Sequence, residues 1–206
     1  MRIDRAGWPF VIGFLAPALL LAWVWPWPAA VFGVVAAFML YFFRDPERTV
    51  PDQPDAVVSP ADGRVLIAGE AEPASAPPGS WQQVSIFLSP LDVHINRIPI
   101  GGRVTRVDYT PGRFLAAYRP ESARVNERND VWIERDGGVL VCRQVVGVLA
   151  RRLVCRVGPG AAVRTGQRYG LMKFGSRIDL YLPPRATLRV AAGDRVRSGE
   201  TVVATW

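Results

Sequence analysis

Histidine and lysine are almost missing from this chain, which holds one of each, His94 and Lys173, among 206 residues. A single histidine leaves little from which to build an imidazole metal site, and the sequence offers no metal-ligand spacing. A pyridoxal cofactor, which needs a Schiff-base lysine, is confined to one position. Cysteine is nearly as scarce. Cys142 and Cys155 lie 13 apart with no histidine nearby and match no zinc or CxxC spacing, so they read as two reduced thiols. The G-x-S-x-G elbow of serine hydrolases is absent. The net charge is +7, almost all of it arginine, yet runs such as Arg151-Arg152 are too short and scattered to line a nucleic-acid groove. Nucleic acid is excluded as a partner on that ground.

Charge is also missing from one long stretch. Between Arg5 and Arg44 no residue is charged, and two apolar runs, Trp8 to Trp25 and Trp27 to Phe43, are split by Pro26 and Pro28. At 1.5 Å per residue these runs of 18 and 17 residues reach about 27 and 25 Å, slightly short of a hydrocarbon core of about 30 Å. They predict an N-terminal hydrophobic helical hairpin, residues 1–48, that either spans with help from interfacial tryptophans or dips in and returns. The Trp25-Pro26-Trp27-Pro28 turn has no charge, whereas Arg2, Arg5, Arg44 and Arg48 flank the runs. The positive-inside bias then puts both ends, and the domain that follows, on the cytoplasmic side of the cell membrane. A retained second run argues against a cleaved signal peptide.

Residues 49–206 are enough for one catalytic domain with a core of its own. Half of the composition is hydrophobic, with 19 glycines and 18 prolines, a mixture that favours many short strands over a helical bundle. Strands are expected at 83–88, 103–108, 131–134, 139–149, 152–158, 178–182, 187–190 and 201–205, with two β-rich runs around an Asp62-Gly63 turn. Residues 71–80 are a loop, and 160–170 admit a brief helix or turn. From Leu188 to Val203 two glycines six apart each precede an acidic residue and a valine-rich run. That pattern resembles the flattened β-sandwich of lipoyl and biotinyl carriers, but the segment lacks the lysine that carriers modify. The expected fold is mainly β: a compact β-sandwich or barrel-like domain with lipoyl-carrier-like segments.

Three places carry residues suited to chemistry. Asp92 and His94 stand two apart and share a face if the segment is extended, where a carboxylate would orient the imidazole and raise its basicity. Asp62 lies in Ser59-Pro60-Ala61-Asp62-Gly63, a sequence that also makes an ordinary turn. Gly175-Ser176 lies in Lys173-Phe174-Gly175-Ser176-Arg177. Glycine leaves its carbonyl open to approach, so the Ser176 hydroxyl, deprotonated by His94, has a route to self-cleavage.

Together Phe43-Arg44-Asp45-Pro46-Glu47-Arg48, Val58-Ser59-Pro60-Ala61-Asp62-Gly63, Asp92-Val93-His94-Ile95-Asn96-Arg97-Ile98-Pro99 and Lys173-Phe174-Gly175-Ser176-Arg177 resemble the short bacterial and archaeal form of the phosphatidylserine decarboxylase family. The resemblance implies a proenzyme cut between Gly175 and Ser176 into residues 1–175 and 176–206, which stay associated. It implies that Ser176 becomes a covalent pyruvoyl group that receives the substrate amine as a Schiff base. Phosphatidylserine would then lose carbon dioxide to give phosphatidylethanolamine in phospholipid biosynthesis. It assigns His94, Asp62 and Asp92 to the cleavage step, and no metal. Longer family members carry a second histidine where this chain has Arg97, which leaves both histidine roles to His94. Anionic membrane lipids are expected partners, and a membrane-attached homodimer is compatible with the sequence. The rival readings are a membrane-bound Ser-His-Asp hydrolase built on Ser176, His94 and Asp62, a non-catalytic carrier-like interaction domain, and a pyruvoyl enzyme acting on a soluble amino acid.

Overall fold

The structure is a computed structural model and describes residues 2–148, 153–173 and 176–206. Its contacts divide it into two compact units, Met1–Glu47 and Arg48–Trp206. In the first, β1 (Arg2–Ile3), α1 (Trp8–Leu21), α2 (Pro26–Phe42) and β2 (Arg44–Asp45) form a helical hairpin whose ends are tied together by antiparallel pairing of β1 with β2. Pro26 and Pro28 do not form the connecting turn that the sequence suggests. They open α2, where a missing N–H costs nothing, and residues 22–24 make the turn. That turn shortens the first apolar run from 18 residues to a helix of 14, against 17 for the second. Among the described residues no helix is long and apolar enough to cross a membrane. Leu19, Leu20, Trp23, Trp27, Val31 and Val34 nevertheless remain exposed on this unit.

The second unit contains β3 (Ala56–Val58), β4 (Gly63–Glu70), β5 (Gln82–Leu88), β6 (Ile95–Arg97), β7 (Gly102–Thr110) and the single-turn α3 (Ser122–Val125). There follow β8 (Arg128–Arg135), β9 (Gly138–Val146), β10 (Leu153–Cys155), β11 (Ala162–Val163) and β12 (Arg168–Met172). The chain ends with β13 (Ser176–Leu182), β14 (Thr187–Leu188), β15 (Arg195–Val196) and β16 (Val202–Thr205). An eight-stranded antiparallel sheet runs in the order β11-β7-β8-β9-β13-β5-β4-β15, and two three-stranded sheets run β10-β12-β6 and β14-β16-β3. The mainly β expectation is met.

Several local expectations are corrected. Of the two alternatives for residues 160–170 the turn is met, at 165–166 between β11 and β12, and no helix is present among the described residues. The runs on either side of Asp62-Gly63 are strands but not a hairpin, since β3 pairs with β16 and β4 with β5 and β15. The long strand expected at 139–149 stops at Val146, and residues 149–152 lie outside the described residues. Strands β6 and β12 escape the alternation test because Asn96, Arg97 and Arg168 interrupt their apolar pattern. Asn96 is buried by accepting a bond from Gln144 Nε2 at 2.8 Å, and at Gly170 a Cβ would lie 2.2 Å from the Val154 carbonyl.

Strand β13 explains how the core is filled. Ile178, Leu180 and Leu182 face one side with Val84, Ile86, Leu140, Cys142, Val131 and Ile133, forming the main apolar cluster. Burial pushes the Cys142 thiol up to about 12, so it stays neutral against the Tyr169 hydroxyl, 3.2 Å away. The alternate residues, Arg177, Asp179 and Tyr181, are also buried, although two of them are charged. Arg177 Nε donates to Asp179 Oδ1 at 2.6 Å, and the Ser85 hydroxyl donates to the same oxygen at 2.5 Å. One strand away Arg143 grips Asp130 with two bonds of 2.7 Å and donates to the Ser75 carbonyl of the 71–80 loop. The second face of the sheet is therefore closed by matched charge and by that loop.

Breaking a buried pair costs far more than the pair contributes, because the remaining charge is stranded. Arg143→Ala should lower unfolding stability by about 3–5 kcal/mol. Replacing Arg143 and Asp130 together by Met and Leu should recover most of that loss. Thermal unfolding followed by circular dichroism in detergent checks both; equal losses in the single and double variants would contradict the charge argument.

Candidate active site

Register brings the sequence-distant residues to one end of the large sheet. Ser176, the first residue of β13, is paired with Leu88 at the end of β5 and with Val146 at the end of β9. Gly63, which opens β4 directly after Asp62, lies at the same end, since Arg64 pairs with Phe87. Ile95 of β6 pairs with Leu171 of β12. The connector Ser89–His94 thus starts beside Ser176 and ends beside Leu171, so it spans the same two sheet ends as the connector that leads from β12 to Ser176. His94 and Ser176 are brought to the same junction by two ladders, not by proximity in sequence. Of the cleavage pair, Gly175 lies outside the described residues, as does Phe174.

Ser176 is completely buried, and among the described residues its Oγ has no hydrogen-bond partner. A buried hydroxyl left unbonded forfeits its hydration, a cost of about 1–3 kcal/mol that an ordinary core position would avoid with a small apolar residue. His94 is 1% exposed, and its Nδ1 lies 2.9 Å from the Asp92 carbonyl oxygen. A carbonyl only accepts, so Nδ1 carries the proton of the neutral ring and Nε2 the basic lone pair.

The sequence reading of Asp92 beside His94 needs revision in its geometry. Residues 89–92 form a turn, not an extended segment, closed by the Asp92 amide donating to the Ser89 carbonyl at 2.9 Å. The Asp92 carboxylate folds back to accept from the Ser89 amide at 2.8 Å. It is the main-chain carbonyl of Asp92 that sets the His94 tautomer, while its carboxylate stiffens the connector.

Asp62 is held by parts of the chain that composition and spacing did not single out. Its Oδ1 accepts from the Ser198 amide at 2.8 Å, and its Oδ2 accepts from Arg48 Nη2 at 2.7 Å. Arg48 also donates to Glu200 at 3.1 Å, and its side chain is 9% exposed. The expectation that Arg48 serves membrane topology is therefore replaced by a structural role: it is an internal counter-ion that belongs to the second unit. The Ser198 hydroxyl lies 3.5 Å from the carbonyls of Pro60 and Ile95, so the residue that fixes Asp62 also touches the chain immediately after His94. Gly63 is required for the close approach of β4 to β5 directly after Asp62, because a Cβ there would sit 2.1 Å from the Phe87 carbonyl oxygen. Beyond Arg48 lies a cavity of about 530 Å³ lined by Arg48, Arg97, Arg164 and Arg168. Arg97 donates to the Gly166 carbonyl at 3.1 Å.

Burial pushes the Asp62 carboxyl above the ordinary carboxylate range; the Ser198 amide and the Arg48 guanidinium oppose that rise, and the charge on Asp92 adds to it. A raised pKa means the folded chain holds this proton to higher pH than the unfolded chain. Asp62 therefore favours folding as the pH falls through its folded value, and its ionisation costs stability above that value. Arg48→Gln should move Asp62's titration to still higher pH, read from its side-chain carboxyl carbon resonance. Asp62→Asn should flatten the pH dependence of the melting temperature on the acid side of neutrality. An unchanged or lowered midpoint in Arg48→Gln would contradict the assignment of Arg48 as its counter-ion.

Known proteins are similar to this chain over nearly all of its length. A family model described as phosphatidylserine decarboxylase matches residues 35–204. A protein named phosphatidylserine decarboxylase proenzyme from Nitrosomonas europaea is 43% identical over 209 residues, covering 99% of this chain and 95% of the relative. One of the same name from Desulfotalea psychrophila is 41% identical over 204 residues, covering 98% and 95%. With a match over this much of its length, the chain belongs to the phosphatidylserine decarboxylase family.

Proposed function

We propose that this chain is a self-processing, membrane-associated enzyme that decarboxylates phosphatidylserine to phosphatidylethanolamine, with a pyruvoyl group made from Ser176 as its covalent cofactor. The observation that carries the reading is the buried Ser176 Oγ with no hydrogen-bond partner among the described residues, at the strand end shared with the His94 connector. The relatives' names supply the substrate and the proenzyme character.

In maturation, His94 Nε2 accepts the Ser176 hydroxyl proton as Oγ attacks the Gly175 carbonyl carbon. The Gly175–Ser176 C–N bond breaks and the peptide becomes an ester, with the Ser176 nitrogen left as an amine. Loss of the Ser176 α-proton forms a Cα–Cβ double bond and breaks the Cβ–Oγ bond, so Gly175 departs as a carboxylate. The enamine tautomerises to an imine, water adds and ammonia leaves, giving the ketone with no change of oxidant or reductant. Asp62, raised in pKa, and the Asp92-oriented imidazole are the groups for the proton movements.

The residues fit such a group. Ser176 begins a strand that is hydrogen-bonded on both sides, so a cut before it leaves the new terminus in place and residues 176–206 embedded in the sheets. When present, the ketone supplies an electron sink for the pair released when carbon dioxide leaves. The chain's own residues bury the reacting carbon, exclude water and return a proton to it, for which His94 is the first candidate. The arginine-lined cavity has the charge that an anionic headgroup requires. The flanking arginines of the hairpin favour a cytoplasmic placement of the catalytic unit.

Intact-mass measurement tests the reading. Wild-type protein should give two pieces, residues 1–175 and a smaller piece from 176 with a blocked N-terminus, while Ser176→Ala should remain full length and inactive. His94→Ala should likewise stay uncut. A wild-type chain that is uncut, unmodified and active would support the hydrolase alternative and overturn the proposal.

A further inference from the structure

Among the described residues of Arg48–Trp206 the exposed large apolar and aromatic side chains are Leu91, Tyr109, Phe114, Tyr118 and Val148. Register places all of them at one end of the eight-stranded sheet. Leu91 is three residues past Leu88 and Val148 two past Val146, the two partners of Ser176. Tyr118 stacks edge-on against Phe87, centroids 6.0 Å apart, and Phe87 is the neighbour of Leu88. Phe114 precedes Leu115, whose amide donates to Asn126 Oδ1 at 3.0 Å while Asn126 Nδ2 donates to the Val146 carbonyl at 2.9 Å. Tyr109 pairs with Asn129 at the closing end of β7. The opposite end of the sheet is polar: the β8–β9 turn presents Arg135 and Asp136, the latter's side chain 83% exposed.

A cluster of apolar side chains of this size left in water marks a contact surface, and its surroundings select the partner. The exposed charged residues on the 111–121 segment are Arg113, Arg119 and Glu121, a net positive set, and Arg195 beside Asp92 is 82% exposed. Tyrosines with arginines around aliphatic tips are the composition of a membrane interface, where rings sit at headgroup level and guanidinium groups meet anionic lipid. Access gives a second argument, which rests on the function proposed above. Lifting a diacyl lipid out of its leaflet costs about 0.8 kcal/mol per CH2, so a buried group at Ser176 is reachable only if this end of the sheet meets the bilayer.

We infer that Leu91, Phe114, Tyr118 and Val148, with Tyr109, Arg113 and Arg119, form a membrane-docking rim at the Ser176 end of the sheet, a second bilayer contact made by the catalytic unit itself. Its partner is an anionic phospholipid surface. The strands then stand with their Ser176 end at the headgroups and the Asp136 turn about 30 Å away, the length of β9.

Depth labelling of the full chain tests this. In a Cys155→Ser background, cysteines are placed singly at 118, 148 and 136, labelled with a polarity-sensitive fluorophore, and bound to vesicles of phosphatidylcholine and phosphatidylglycerol containing nitroxide lipid. Labels at 118 and 148 should shift to the blue and be quenched at least threefold more than the label at 136. Equal quenching at the three sites, or none at 118 and 148, overturns the rim. The double variant Tyr118→Ser, Val148→Ser, checked for normal self-cleavage, should lower the ratio of activity on vesicle-embedded to dispersed short-chain phosphatidylserine by about tenfold. An unchanged ratio also overturns it. Wild-type protein inactive on both substrates but quenched at 118 and 148 would overturn the proposed reaction while supporting the rim.

Discussion

Strand β13 is hydrogen-bonded on both edges, and the candidate site depends on that double pairing. Its first residue is Ser176, so the ladders to Leu88 and Val146 fix the serine before any side chain is considered. The same ladder to β5 fixes where the Ser89–His94 connector begins. With the β6–β12 pairing fixing where that connector ends, the histidine has little freedom. Backbone register, set by alternating apolar residues on one face and buried charge on the other, thus does the positioning that active sites often assign to side-chain contacts.

The polar groups around this junction form a chain of dependencies. Arg48 and the Ser198 amide hold Asp62. Ser198 reaches the carbonyl of Ile95, next to His94, and the carbonyl of Asp92 sets the imidazole's proton. The Arg48–Asp62 bond is charge-assisted and short, and those to the Ile95 and Asp92 carbonyls are neutral. Each member, however, is buried or half-buried where an unsatisfied group is expensive, and removal of one changes what the next can do.

Much of this was legible from the residues. His94 stood out because nothing else in the chain supplies an imidazole, and Ser176 because a glycine precedes it. The mainly β fold followed from runs such as Ile178-Asp179-Leu180-Tyr181-Leu182, whose alternation suits a sheet. Other features had no local signal. Arg48 looked like a topogenic arginine because it follows an apolar run, and only its distance in space from Glu200, 152 positions on, reveals it as a buried counter-ion. Strands β6 and β12 were hidden because Asn96 and Arg97 are polar residues buried by partners remote in sequence. The Asp92 turn defeated the period-two argument, since Ser89 offered its amide to the carboxylate and drew the chain out of extension.

The placement of β13 also has a consequence for how the protein is made. Residues 176–206 supply an interior strand to the large sheet, its edge strand β15, and two strands, β14 and β16, to another sheet. A separately synthesised copy of this piece would have to thread between β5 and β9, which in its absence can close on each other or on foreign strands. While the chain is continuous, the peptide bond before Ser176 acts as a tether that delivers β13 to its slot at high local concentration. Once the ladders have formed the tether is mechanically redundant, and its loss leaves the sheet order unchanged.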